Sequence, residues 1–172
     1  RCNLRCTHCA VSEENNLGGY FYEDLPIEAF RKLLPSLSAH RPMIQLSGHG
    51  ETLLHPYFSE MLAATLETGC RVKFQTNGTI MTEAQARLIA GCVDVVHVSL
   101  DGPNEELNSV IRGHGNFNSA VEGVRKLKAA GVKKILLVTN INSANIGRLH
   151  EMRVLRDELG VELGNNIFAA VG

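Results

Sequence analysis

The chain has 172 residues, 44% of them hydrophobic, enough for one domain with a buried core or for a piece of a larger protein. A net charge of -1 offers no broad basic field for nucleic acid. No apolar run approaches the roughly 18 residues of a membrane span, and the opening residues lack the layout of a signal peptide. The expected compartment is therefore the cytoplasm, where five unevenly spaced cysteines read as metal ligands and core residues rather than a disulfide framework.

In chain order, Cys2, Cys6 and Cys9 come first, as C-x3-C-x2-C in a segment without periodicity. Ile27, Phe30, Leu33, Leu34 and Leu37 then recur at helical spacing, followed by a strand candidate from Met43 to Gly48. Pro56 suits a first helical turn ahead of Phe58, Met61, Leu62 and Leu66, and Gly69 closes that helix before a strand at 71–78. Thr82 and Gln85 form a capping box for a helix that Gly91 would stop, and a strand follows at 94–102. Val121, Val124 and Leu127 mark the next helix, Gly131 its end, and 134–142 the next strand. Ile146, Leu149, Met152 and Leu155 give a last helix ending at Gly160, with a weaker strand between Val161 and Ala170.

Strands and helices alternating at this spacing imply right-handed βαβ units and a parallel sheet, either doubly wound or a full or partial barrel. Such folds carry their chemistry after the carboxyl ends of the strands. Polar, glycine-rich segments gather there: SGHGET, TNGT, SLDGP and TNIN, each after one strand candidate. Cys70 and Cys92 precede strands, fall on the opposite face, and read as small buried hydrophobes. The remaining three thiols can converge on an iron-sulfur cluster or, with His8 as fourth ligand, on zinc.

CNLRCTHC, followed by βα repeats carrying LSGHGETLLHP, FQTNG, VSLDGP and IRGHGNFNSAVEGVRKLKAAG, resembles the catalytic core of radical SAM enzymes over roughly residues 1–145. It is most similar to the branch whose members often carry a C-terminal SPASM-type cluster domain and modify peptides or protein side chains. The resemblance implies an α/β fold, a parallel sheet of βα repeats forming an incomplete (β/α)6 partial TIM-type barrel. It also implies a 4Fe-4S cluster on Cys2, Cys6 and Cys9, whose open iron binds S-adenosylmethionine (SAM). Gly48, His49, Gly50 and Glu51 resemble the family's GGE loop, which receives the SAM ammonium. His49 stands in place of a glycine, so its side chain has to point away from the ligand, toward substrate or toward solvent. Thr76 and Asn77 resemble residues near the methionyl and ribose groups, although Asn-Gly is also a common turn pair. Ser99 and Asp101 would contact ribose or carboxylate. Arg112 would pair with the SAM carboxylate, and the backbone from Val138 to Asn140 would approach adenine or ribose.

GHGETL and GHGNFN lack the third glycine of a dinucleotide fingerprint, and the basic residues of VRKLKAAGVKK read as an exposed helix face. Residues 1–172 read as one domain, a fragment lacking the first strand and the C-terminal end of a complete barrel. Peptide or protein side chains are the expected substrates. Small-molecule chemistry such as molybdenum-cofactor precursor synthesis is the alternative, and a non-catalytic zinc module on Cys2, Cys6, His8 and Cys9 is the alternative of another class. A flavodoxin or ferredoxin would be the electron donor.

Overall fold

The computed structural model describes residues 1–9, 23–48 and 50–167. Five strands, β1 (Met43–Leu46), β2 (Arg71–Thr76), β3 (Val95–Ser99), β4 (Ile135–Ile141) and β5 (Glu162–Ile167), lie in a parallel sheet in the order β1-β2-β3-β4-β5. Strictly sequential parallel order with intervening helices is the plan of a barrel sector, as expected from the sequence. The registers align Gln45 with Lys73 and Lys73 with Val95, and Gln75 with His97 and His97 with Leu136.

Alternation within the strands separates two faces of this sheet. Val72, Phe74, Val96, Val98 and Leu137 are fully buried against the helices, with Leu62, Ile89, Val124 and Leu127 opposite them. Lys73, Gln75 and His97 point to the other side and are half-buried. Parallel strands packed on both faces are usually apolar throughout, so this second face is the wet interior of the barrel sector.

The helices are α1 (Ile27–Arg31), α2 (Leu34–His40), α3 (Phe58–Glu67), α4 (Glu83–Cys92), α5 (Glu105–Arg112), α6 (Asn116–Ala129) and α7 (Leu149–Leu159). Three sequence expectations need correction here. The helical run from Ile27 to Leu37 is broken after Arg31, because Pro35 lacks an N–H and its ring would collide with the carbonyl four residues back, at Arg31. Gly91 does not stop α4, which runs on to Cys92 and is capped by Val93. Pro56 lies just ahead of α3, whose N-cap is Tyr57.

One helix was not anticipated. The Asn104 side chain caps α5 by accepting from Leu107 N at 3.0 Å, and Glu105 and Glu106 occupy its first turn. The Glu105 carboxylate also accepts from Gly115 N (2.6 Å) and Phe117 N (3.1 Å), fixing α5 against the start of α6. The capping box at Thr82 is formed, with both Thr82 and Gln85 side chains engaged. Thr82→Ala is expected to cost about 1 kcal/mol of unfolding free energy, read as a shift in urea midpoint without a change in slope.

Cys70 is buried, and its thiol donates to the Leu37 carbonyl at 3.3 Å, while Cys92 is half-buried. Cys70 directly precedes β2 and Cys92 ends α4 ahead of β3, so both lie toward the amino ends of the strands. Among the described residues no helix is long and apolar enough to cross a membrane.

Candidate functional site

The first nine residues carry no helix or strand, so their backbone groups need partners elsewhere. They find them at the carboxyl end of the sheet. Glu51 N donates to Arg1 O (3.0 Å), Thr7 N to Ile111 O (2.9 Å), and Asn77 Nδ2 to Asn3 Oδ1 (2.9 Å). Asn3 Nδ2 donates to Thr79 Oγ1 (2.8 Å), and Asn140 Nδ2 donates to His8 Nε2 (3.0 Å). The cysteine loop is thereby tied to the segments after β1 and β2, to the end of α5, and to β4.

Gly50 permits the first of these contacts. Its φ is +154°, and a Cβ there would lie 2.1 Å from the Arg1 carbonyl oxygen. Only glycine lets the Arg1 backbone cross so close. Gly48 is exposed, and His49 lies outside the described residues.

Glu51 is 4% exposed, and its carboxylate faces the protein. Oε1 accepts from Thr76 Oγ1 (2.6 Å) and Leu53 N (3.2 Å), and Oε2 accepts from Asn77 N (2.7 Å). Burial pushes its pKa upward, opposed by these three hydrogen bonds and by the charge of Arg112. Thr76 Oγ1 also accepts from Gly78 N at 3.0 Å, so the Thr76–Asn77–Gly78 turn and the Glu51 loop are a single hydrogen-bonded unit.

Asp101 is fully buried. Oδ1 accepts from Asn140 N (2.7 Å), and Oδ2 pairs with Arg112 Nε (2.7 Å). Its backbone N donates to Asn108 Oδ1 (3.0 Å), and its carbonyl accepts from Asn145 Nδ2 (3.0 Å). Arg112 is 7% exposed, and its charge acts on three neighbours. It lowers the pKa of the Cys6 thiol, of His8 and of Glu51, in each case against or alongside a larger effect of burial. Ser99, the last residue of β3, is buried in register with Val138 in the middle of β4, which is also buried, and Asn140 is half-buried.

Every candidate site residue within the described segments therefore lies at one end of the sheet. Asn3, Thr7, Asn108 and Asn145 belong with them and were not singled out from sequence. The available signal was the asparagine-rich run NINSAN that ends β4 and continues into the next loop, where Asn140, Asn142 and Asn145 are joined by hydrogen bonds.

Cys2 is exposed, while Cys6 and Cys9 are half-buried, with Cys9 N donating to Cys6 O at 3.0 Å. Burial raises the Cys6 pKa most, Arg112 opposes it, and the charges of Cys2 and Cys9 add to it. The three thiols are thus within electrostatic reach of one another. Among the described residues no three His, Cys, Asp or Glu side chains converge on one metal ion. The zinc set of Cys2, Cys6, His8 and Cys9 is accordingly not assembled, because the His8 ring turns to Asn140 and Asp101. Three thiols on one loop beside a buried cation suit a polynuclear iron-sulfur cluster instead, whose net negative charge the cation would offset.

Comparison with known proteins agrees with that donor set. The sequence model described as "Radical SAM superfamily" matches residues 1–152. The chain is 34% identical over 164 residues to mycofactocin maturase MftC of Mycobacterium ulcerans (strain Agy99), covering 94% of this chain and 43% of the relative. It is 32% identical over 162 residues to the AdoMet-dependent heme synthase of Methanosarcina barkeri (strain Fusaro / DSM 804), covering 92% and 45%. The fold matches Streptococcus suis SuiB bound to precursor peptide SuiA with a TM-score of 0.76 at 16% identity, over 98% of this chain and 37% of that one. The chain spans less than half the length of these relatives. With the parallel barrel sector, the three-thiol loop and a family match over residues 1–152, the chain belongs to the radical SAM superfamily, whose members use a 4Fe-4S cluster and S-adenosylmethionine.

Proposed function

We propose that the protein is a radical SAM enzyme acting on a peptide or protein side chain, as a maturase. The observation that carries this reading is the loop of Cys2, Cys6 and Cys9 tied to four strand or helix ends around the buried Arg112. When bound, the cluster and SAM supply reductive cleavage of the sulfonium to methionine and a 5'-deoxyadenosyl radical that abstracts hydrogen from the substrate.

The protein's own groups bind, orient and shield. Cys2, Cys6 and Cys9 are the cluster ligands in this reading. Exposed backbone at Gly48 and Gly50 meets the SAM ammonium, with Glu51 holding that loop against the Thr76–Asn77 turn from behind. Arg112 offers its outer guanidinium nitrogens to the SAM carboxylate while Asp101 holds Nε. Ser99 and the backbone from Val138 to Asn140 line the ribose and adenine side. The half-buried polar face of Gln75 and His97 lies one register step deeper in the sheet and is the floor under the substrate.

The peptide reading is supported by the shared fold with SuiB, which was solved with its precursor peptide, and by the identity with the maturase MftC. Identity of 32% with a heme synthase favours, as the second reading, a small-molecule or cofactor substrate. In both, residues 1–172 act as one core domain of a longer cytoplasmic protein, and a flavodoxin or ferredoxin delivers the electron.

The test uses anaerobically reconstituted full-length protein. The reduced sample is expected to give a 4Fe-4S EPR signal that shifts on adding SAM, with 5'-deoxyadenosine formed. Both should disappear in the Cys2→Ala, Cys6→Ala, Cys9→Ala triple variant. Tightly held zinc with no cluster signal would overturn the reading, and 5'-deoxyadenosine coupled to a tetrapyrrole but to no peptide would favour the second substrate class.

A further inference from the structure

The polar atoms of Asp101 all face the protein, Oδ2 meeting Arg112 as an ion pair rather than through a hydrogen bond. The side chain binds Asn140 N and Arg112 Nε, and the backbone binds the side chains of Asn108 and Asn145. With no exposed surface, it has no edge to present to a ligand. Its two side-chain partners nevertheless sit on either side of the second half of the cysteine loop. Arg112 follows Ile111, whose carbonyl takes Thr7 N, and Asn140 reaches His8 with its own side-chain amide. Asp101 thus stands behind two of the contacts made by the segment from Cys6 to Cys9.

The neighbouring backbone is built to keep Asp101 there. A Cβ at Gly102 would lie 2.4 Å from Asn108 N, so the chain after Asp101 rests directly on α5, and Asn108, itself fully buried, holds Asp101 N. Arg112 makes no other ion pair among the described residues, and its charge reaches the Cys6 thiol.

We infer that Asp101 is a positioning residue for the cluster: it places the Arg112 cation beside Cys6 and, through Asn140 and His8, sets the Cys6–Cys9 half of the loop, without touching SAM. This rests on the radical SAM reading and assigns Asp101 a role other than the ribose or carboxylate contact that the family resemblance suggests. A fixed cation near a cluster favours its reduced form and a fixed anion disfavours it, so the two charges of the pair act on the cluster in opposite senses.

The experiment is a charge cycle on full-length reconstituted protein, with the cluster's midpoint potential followed by EPR in the absence of SAM. Asp101→Asn is expected to move the potential in the positive direction and Arg112→Gln in the negative direction. The double variant should return toward the wild-type value, since removing both charges leaves the local balance unchanged. Asn140→Ala removes only a half-buried side chain and keeps the fold whatever the charged pair does. It is expected to raise severalfold the rate at which bathophenanthroline strips iron from the cluster, with the potential in place.

Equal potentials in wild type and both single variants, with SAM affinity alone lost in Asp101→Asn, would mean direct ligand contact and overturn the inference. So would an unchanged stripping rate in Asn140→Ala. Failure of the radical SAM reading itself looks different, because the wild-type protein would then hold no cluster to titrate.

Discussion

Glu51→Ala is expected to lower the unfolding free energy by about 3 kcal/mol or more, and to abolish SAM binding with it. Three donors, Leu53 N, Thr76 Oγ1 and Asn77 N, would lose their acceptor in a site that is 4% exposed. A buried donor left without an acceptor costs about 1–3 kcal/mol, and water entering the space recovers only part of it. Glu51→Gln keeps the volume but turns an NH2 group toward one of these donors, so its loss should approach that of alanine. Denaturant midpoints of the apoprotein, compared with SAM affinity by calorimetry on the reconstituted protein, separate the two effects.

Glu51 also gives a pH dependence whose sign can be worked out. Burial raises its pKa in the folded protein, so the folded state holds the proton more tightly than the unfolded chain does. That contribution to stability is fully present below the ordinary carboxylate pKa and is lost as pH rises through the raised value. Glu51→Gln removes this fall, and stability measured across that window should be flatter in the variant than in wild type.

Gly123→Ala is the second large effect, and its sign runs against helix propensity. Alanine inside a helix normally stabilises by about 1 kcal/mol relative to glycine. At Gly123 of α6 the added Cβ would lie 2.2 Å from Gly78 O and 3.1 Å from Gly78 C, backbone atoms with little room to yield. Gly78 is itself confined, with φ +76° and Val98 Cγ1 3.0 Å from where its own Cβ would be. The substitution must push α6 away from the turn that carries Asn77, at the upper end of the 1–3 kcal/mol typical of overpacking, or about 3 kcal/mol. Gly91 is the matched control. It lies inside α4, and a methyl added there would meet nothing within 4 Å, so Gly91→Ala should stabilise by about 0.5–1 kcal/mol. Opposite shifts in thermal midpoint for the two alanines are the expected result.

The strands were legible in the sequence because each combines β-rich alternation with a polar glycine-bearing turn, and β1 to β4 fall inside the segments read from it. The α5 helix was not, since Leu107 and Ile111 are its only large buried apolar residues and eight residues give periodicity little room to show. What sequence could least reveal was the direction in which an acidic side chain points. Glu51 and Asp101 were expected among the groups that contact SAM, but their carboxylates bond backbone and side chains of this protein. An acidic residue on a strand-end loop has the same letter whether it meets a ligand or braces the loop, and only burial and hydrogen-bond partners separate the two. His8 is a similar case: beside Cys9 it could be a metal ligand by composition, yet it reaches across to Asn140.

The anchoring of the cysteine loop sets an order of assembly. Its partners lie 74 residues away at Asn77, 104 away at Ile111 and 132 away at Asn140, so the loop closes only after most of the sheet exists. At ribosomal rates, residue 140 leaves the peptidyl-transferase centre on the order of 10 s after the three thiols. During that interval they are unsheltered, open to oxygen and to adventitious metal. Cluster delivery is therefore a late event that waits for β4, and chains that stall before Asn140 are the ones most exposed to oxidation of Cys2, Cys6 and Cys9.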